Sequence, residues 1–207
     1  MNYNKIIFAT SNQHKMYEIK SILSDLGIEI LAMNEVGINV DVVEDGKTFA
    51  ENALIKVKAI GEIVRQRQDL KDSVVLSDDS GLVVDGLDGE PGIYSARYMG
   101  EDTSYRIKNA NIIDRLNQKG LLSKEERSAR FVCAIAACMP DGNTLSTEGY
   151  FEGYIGDSER GENGFGYDPI FMVKDRDVAS AELSEEVKNQ LSHRGQALEK
   201  MKVLLSK

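Results

Sequence analysis

Basic residues are in short supply: 25 lysines and arginines face 34 aspartates and glutamates, a net charge of −9. Nucleic-acid polymers are bound through extended basic surfaces, so this class of partner is excluded, while a small anionic ligand stays open if cations gather locally. Only three prolines interrupt 207 residues that are 42% hydrophobic, and no low-complexity tract or internal repeat is present. That is enough chain for one sizeable core or two closely packed lobes. Long apolar runs are missing too. The opening "MNYNKIIFATSNQHK" passes through a short apolar run and returns to polar residues, too short for a signal sequence or a membrane span. A soluble cytoplasmic protein without a membrane partner is expected. The two cysteines, Cys133 and Cys138, share one apolar run. On a strand they face opposite sides about 17 Å apart, so they cannot pair, and there is no Cys-x-x-Cys metal spacing.

Periodicity and punctuation give the elements. "KIIFA" (5–9) reads as a buried strand, and Met16, Ile19, Leu23 and Leu26 then recur at helical spacing until Gly27. "IEILA" (28–32) is the next strand, followed by an acidic loop through "VEDGK". Thr48 and Glu51 form a capping box that opens a helix to about Arg67, with Ala53, Val57, Ile60 and Val64 inward. "SVVLS" returns to strand, and a helix from about Thr103 to Gln118 turns Ile107, Ala110, Ile113 and Leu116 inward. "ARFVCAIAACM" and "TLSTEGYFEGYI" flank Asp141-Gly142-Asn143, the composition of a β-hairpin. "PIFMV" is a last strand, and the C-terminal stretch is helical with a break near Ser192. Strand-helix units combined with a hairpin predict an α/β fold with a mixed sheet.

Four polar clusters fall where such folds hold ligands. "TSNQHK" links a strand to a helix N-terminus, where amides favour phosphate and Lys15 adds a charge. The glycines of a Walker loop are absent, and a plain connection capped by Ser11 or Asn12 is the competing reading. "SDDSG" places two aspartates at the end of an apolar strand; adjacent residues on extended backbone point oppositely, so one carboxylate enters a site and the other supports the turn. The carboxylate that enters suits Mg²⁺, which takes one or two carboxylates plus substrate phosphates; Glu44 of "VEDGK" is a further candidate ligand, with an acidic surface loop as the competing reading. In "GENGFGYDP" the glycines allow close approach of backbone to a flat ligand, and Phe165 or Tyr167 stacks on a base or plugs the turn. In "SHRG", Ser192 caps the last helix while His193 and Arg194 present donors; His14 and His193, the only histidines, both lie beside a basic residue.

Taken in order, "TSNQHK", "SDDSG", "PGIYSARY", "GFGYDPIF" and "SHRGQAL" resemble the motifs of the inosine/xanthosine triphosphate pyrophosphatases, from Ile6 to the last helix. The resemblance implies one nucleoside-triphosphate pyrophosphatase domain over residues 1–207, an elongated mixed sheet with two lobes and a central substrate cleft, and a homodimer. It implies hydrolysis of ITP, dITP and XTP, with Mg²⁺ as cofactor, to monophosphate and pyrophosphate. Thr10, Ser11, Asn12, Gln13, His14 and Lys15 match the triphosphate loop, although many members carry glycine where Ser11 stands. Asp79 matches the general base and metal ligand, and Ser80 a substrate contact. Phe165, Gly166, Tyr167 and Asp168 match the segment around the base, and Lys188, His193 and Arg194 the C-terminal substrate-binding residues. Lys56 is a further phosphate contact and Glu44 a second metal ligand in this reading. The 6-oxo group of hypoxanthine and xanthine accepts where adenine donates, so a donor from the 193–194 region selects against adenine.

Overall fold

A computed structural model describes Tyr3 and residues 5–206. Six strands lie in one sheet in the order β2-β1-β3-β4-β5-β6, with β1 at Lys5–Phe8, β2 at Glu29–Ala32, β3 at Val74–Val84, β4 at Ser128–Cys138, β5 at Thr144–Ile155 and β6 at Phe171–Val173. β1 pairs in parallel with both β2 and β3, whereas β5 and β6 are antiparallel, so the sheet is mixed as expected. The helices are α1 (Gln13–Ile22), α2 (Phe49–Gln66), α3 (Tyr105–Gln118), α4 (Glu185–Leu191) and α5 (His193–Leu205). Among the described residues no helix is long and apolar enough to cross a membrane.

The chain forms two compact units. The first comprises residues 1–79, 133–149 and 194–207; the second comprises residues 80–132 and 150–193. In the first unit the alternation of strand side chains sorts the core onto two faces. Ile6, Phe8, Val74, Leu76, Cys133, Ile135 and Ala137 join Met16 and Ile19 of α1 and Leu198 and Met201 of α5. The alternate residues Ile7, Ala9, Val75, Ala134, Ala136 and Cys138 join Val57, Ile60 and Val64 of α2. Cys133 and Cys138 thus lie on opposite faces, both free, as their odd spacing requires. The second unit packs Leu82 and Val84, Phe131, Phe151, Ile155 and Phe171 against Ile112, Ile113 and Leu116 of α3.

Local chemistry explains the boundaries. The Asn12 carboxamide caps α1, accepting from the His14 and Lys15 amides at 3.0 and 3.2 Å, and Gly27 ends the following turn at φ 63°. At α2, Thr48 Oγ1 accepts from the Glu51 amide, but the return bond from Glu51 goes to the Lys47 amide, one residue before the cap. The hairpin between the sheet neighbours β4 and β5 closes with the Met139 amide donating to Asn143 at 2.8 Å and Gly142 at φ 91°. Ser192 separates α4 from α5, as the pattern predicts.

Two expectations are corrected. "SDDSG" is not a turn at a strand end: β3 runs through it to Val84, because its polar side chains find buried partners and its backbone stays in the ladder. On α3, Ile113 and Leu116 are buried as expected, but in the first half of the helix Ile107 is 54% exposed and Ala110 is exposed, while Lys108 and Asn109 are buried with Ile112.

Gly61 marks a close approach of α2 to the sheet, since a Cβ there would lie 2.6 Å from Cys138 Sγ. Gly61→Ala should gain about 1 kcal/mol of helix propensity yet lose more to overpacking, a net destabilisation of about 1–2 kcal/mol. Thermal melts check this. Adding Cys138→Ala should recover most of the loss, and an unchanged melting temperature in Gly61→Ala alone would contradict the packing argument.

Candidate functional site

The parity that sorts the core also separates the two aspartates of β3. Asp78 continues the series Val74, Leu76 toward α1 and α5, and Asp79 continues Val75, Ser77 toward α2. Asp78 is wholly buried. Lys15 of α1 donates to its two oxygens at 3.1 and 3.0 Å, and Arg194 at the start of α5 donates to Oδ2 at 3.2 Å. Arg194 also pairs with Glu18 of α1, and Lys56 of α2 donates to the Asp78 main-chain carbonyl at 3.1 Å. Burial alone would raise the Asp78 pKa; Lys15, Arg194 and Lys56 outweigh it and hold the carboxyl well below the usual carboxylate range. The expectation that this carboxylate supports a turn is therefore overturned: it is the common counter-ion of three cations from three elements.

Asp79 has a different environment. The Asn52 carboxamide of α2 donates to Asp79 Oδ2 at 2.9 Å, and Asn52 Oδ1 accepts from the Gly46 amide of the acidic loop at 2.9 Å. Glu44 of the same loop pairs with Lys56 at 2.8 Å. Burial raises the Asp79 pKa to about 6, with the Glu44 charge adding to the rise; the Asn52 bond and the lysines only partly offset it. Lys56 is pushed the other way: burial would lower it, but the Asp78 and Glu44 charges raise it above the ordinary lysine value, so it stays a cation.

The first unit thus brings together Lys15, Glu44, Lys56, Asp79 and Arg194. Thr10, Ser11, Asn12, Gln13 and His14 lie beside them in chain order, after β1 and at the start of α1; Thr10 is buried and the other four are exposed. Thr10 Oγ1 accepts from the Asn12 amide, and Asn12 caps the next turn, so this loop carries its own hydrogen bonds as well as Lys15. Asn52, Glu18 and Asp78 were not foreseen as site residues. Asn52 had a legible signal, since it and Lys56 are polar residues four apart on the otherwise apolar inner face of α2.

The remaining expected residues belong to the second unit. Asp168 is buried and organises the glycine-rich segment: it accepts from Lys188 at 2.7 Å, from Ser180 at 2.8 Å and from the Phe165 amide at 2.9 Å. Lys188 also lies 5.2 Å from the half-buried Phe165 ring. Gly166 follows at φ 70°. Of the two aromatics Tyr167 is the plug, 3% exposed with its hydroxyl donating to the Ser95 carbonyl at 2.7 Å. His193 is buried and stacks on Phe131 with ring centroids 4.9 Å apart. Ser80 follows Asp79 on β3, half-buried. Adjacent in sequence, His193 and Arg194 therefore serve different surroundings.

Among the described residues no group of three or more His, Cys, Asp and Glu is gathered as a metal cage. Asp79 and Glu44, electrostatically coupled, offer two carboxylates. This is the donor set for an ion that completes its shell with waters and substrate phosphates, and Mg²⁺ fits it.

A mixed α/β sheet with an acid–lysine cluster built on β3, just past its parallel pairing with β1, suits a protein that handles phosphorylated small molecules. Residues 6–204 match the model of the Ham1 family, and the chain belongs to that family. It is 45% identical over 203 residues to the dITP/XTP pyrophosphatase of Bacillus licheniformis, covering 97% of each chain. With the dITP/XTP pyrophosphatase of Bacillus subtilis it shares 45% identity over 199 residues, 96% of each chain. The Staphylococcus aureus Ham1 protein superposes with a TM-score of 0.80 at 42% identity, with 98% of both chains covered. A HAM1 protein from Coxiella burnetii gives 0.82 at 38% identity, again with 98% coverage.

Asp78→Asn is nearly isosteric but leaves Lys15, Arg194 and Lys56 without their shared anion. Breaking a buried pair in this way costs about 3–5 kcal/mol. Chemical denaturation should show a loss of that size, whereas unchanged stability would mean that the cations do not depend on Asp78.

Proposed function

We propose that the chain hydrolyses deaminated purine nucleoside triphosphates, ITP, dITP and XTP, to the monophosphate and pyrophosphate, removing them from the nucleotide pool. The observation that carries this is the split role of the two β3 aspartates: Asp78 holds Lys15 in place, and Asp79 is left as a carboxylate with a pKa near 6. The names of the Bacillus relatives support the substrate class.

In this reading Lys15 and Lys56, with Thr10 to His14, bind the triphosphate and neutralise its charge. Asp79 orients a water for attack on the α-phosphorus. The new bond is from water oxygen to α-phosphorus; the bond from the α-phosphorus to the bridging oxygen breaks, pyrophosphate leaves, and Asp79 takes the proton. Before any cation binds, burial and the Glu44 charge raise the Asp79 pKa to about 6, above the ordinary aspartate value of about 3.9 and closer to neutrality. Asp79 and Glu44 would hold Mg²⁺, which would supply charge neutralisation on the phosphate oxygens. Ser80, Phe165, Gly166, Tyr167, Asp168, Lys188, His193 and Arg194 are assigned to the base and sugar end. A donor from the 193–194 segment favours 6-oxo purines; an unpaired donor facing adenine costs about 1–3 kcal/mol. The Arg194 guanidinium, tied to Asp78 and Glu18, bears on this chiefly by fixing where the segment starts. The protein acts as a single catalytic domain in the cytoplasm, as a homodimer, on free nucleotides and not on nucleic-acid polymers.

Purified protein with Mg²⁺ and a panel of ITP, dITP, XTP, ATP, GTP and dTTP should give monophosphate and pyrophosphate, chiefly from the first three. Asp79→Asn should lower turnover by at least about 100-fold while retaining nucleotide binding. Release of inorganic phosphate would instead indicate a phosphatase, and binding without any turnover would indicate a nucleotide-sensing module.

A further inference from the structure

The segment Gly164–Asp168 is irregular backbone, with Gly164 at φ 76° and Gly166 at φ 70°, and it has no strand ladder of its own to hold it. Asp168 secures one end by accepting the Phe165 amide and the Lys188 ammonium. The middle is secured from α3. Asn109, 1% exposed, donates from Nδ2 to the Gly166 carbonyl at 3.3 Å and to Glu159 at 2.8 Å. One turn earlier Tyr105 stands edge-on to Tyr167 at 5.2 Å, and a Cβ on Gly166 would already touch the Tyr105 ring at 3.5 Å. Lys108, between them, donates to the Ala96 carbonyl at 2.7 Å, next to the Ser95 carbonyl that accepts from Tyr167. The Ser95-Ala96 carbonyls of "PGIYSARY", a motif to which the catalytic reading gives no substrate contact, thus anchor the same assembly.

Asn109 has one feature that packing alone does not explain. Its Oδ1 is buried with no hydrogen-bond partner among the described residues, although both Nδ2 bonds are made. Two acceptors face the amide nitrogen, so turning the carboxamide over would set oxygen against oxygen. A buried acceptor left unmatched lowers stability, and an apolar side chain of similar size would remove the defect. Glu159 is exposed and can exchange its amide partner for water, whereas the Gly166 carbonyl loses the hold of α3. The donor aimed at the Gly166 carbonyl accounts for an asparagine here.

We propose that Asn109 is a positioning residue for recognition of the purine base: through the Gly166 carbonyl it fixes the turn that presents Phe165 and Asp168, without itself touching the substrate. This rests on the reading of Phe165 to Asp168 as the base-contacting segment. The test compares wild type, Asn109→Leu and Asn109→Asp, the last keeping the size but offering no donor at neutral pH. Steady-state kinetics with ITP are combined with inhibition by inorganic tripolyphosphate, a ligand with phosphates and no base, and with thermal melts. The expected result is a KM for ITP raised about tenfold in both variants, kcat within about twofold, tripolyphosphate Ki unchanged, and a melting temperature for Asn109→Leu no lower than wild type. An unchanged KM, or a parallel rise of KM and tripolyphosphate Ki, would overturn the proposal. Wild type that makes no monophosphate and pyrophosphate from ITP would instead defeat the catalytic reading beneath it.

Discussion

A carboxylate with no solvent exposure, set in an apolar strand, is the constraint around which the first unit is organised. Ionised and alone, Asp78 would cost several kcal/mol to bury. Lys15 and Arg194 remove that cost, and the Lys56 ammonium on the neighbouring carbonyl adds to the same field. The arrangement works in both directions, because these cations are themselves largely withdrawn from water. α1, α2 and α5 each bring one cation to a single residue of β3, so the helices are registered on the strand by charge as well as by their apolar faces.

The same strand geometry gives Asp79 its character. One residue further along, it points to the opposite face, where it accepts a hydrogen bond from the neutral Asn52 carboxamide and Glu44 raises its pKa further. With a folded-state pKa near 6 against an ordinary value near 3.8, the folded protein binds this proton more tightly than the unfolded chain. Asp79 therefore favours folding most at low pH, and that contribution fades as pH rises from about 4 through 6. At neutral pH its ionised form is a standing cost to stability, tolerated where a base is needed. Asp78 has the opposite sign: its depressed pKa stabilises the fold above the ordinary carboxylate range, and the contribution is lost only in strong acid.

Much of this was legible in the sequence, and the failures share one cause. Apolar alternation in β1, β3 and β4 and the helical spacing of α2 place the sheet and its covering helices. The opposite orientation of adjacent aspartates follows from extended backbone alone. What local reading could not supply was a distant partner. "SDDSG" has the composition of a turn, and only Lys15, 63 residues away, and Arg194, 116 residues away, make it a strand interior. The first half of the α3 face was misread for the same reason, because Lys108 and Asn109 are buried on carbonyls and a carboxylate that no apolar period announces. Asn52 lay in view on the inner face of α2, but its function depends on Asp79 and Gly46, and neither neighbours it in sequence.

Charge neutralisation at Asp78 leaves Asp79 as the titratable carboxylate of the site. A carboxyl ¹³C NMR titration of the metal-free protein tests it most directly. The account predicts that Asp79 titrates with a midpoint near 6 while Asp78 stays ionised throughout the range in which the protein is folded. An Asp79 midpoint near the ordinary aspartate value of about 4, or an Asp78 that takes up a proton near 6 in its place, would contradict it.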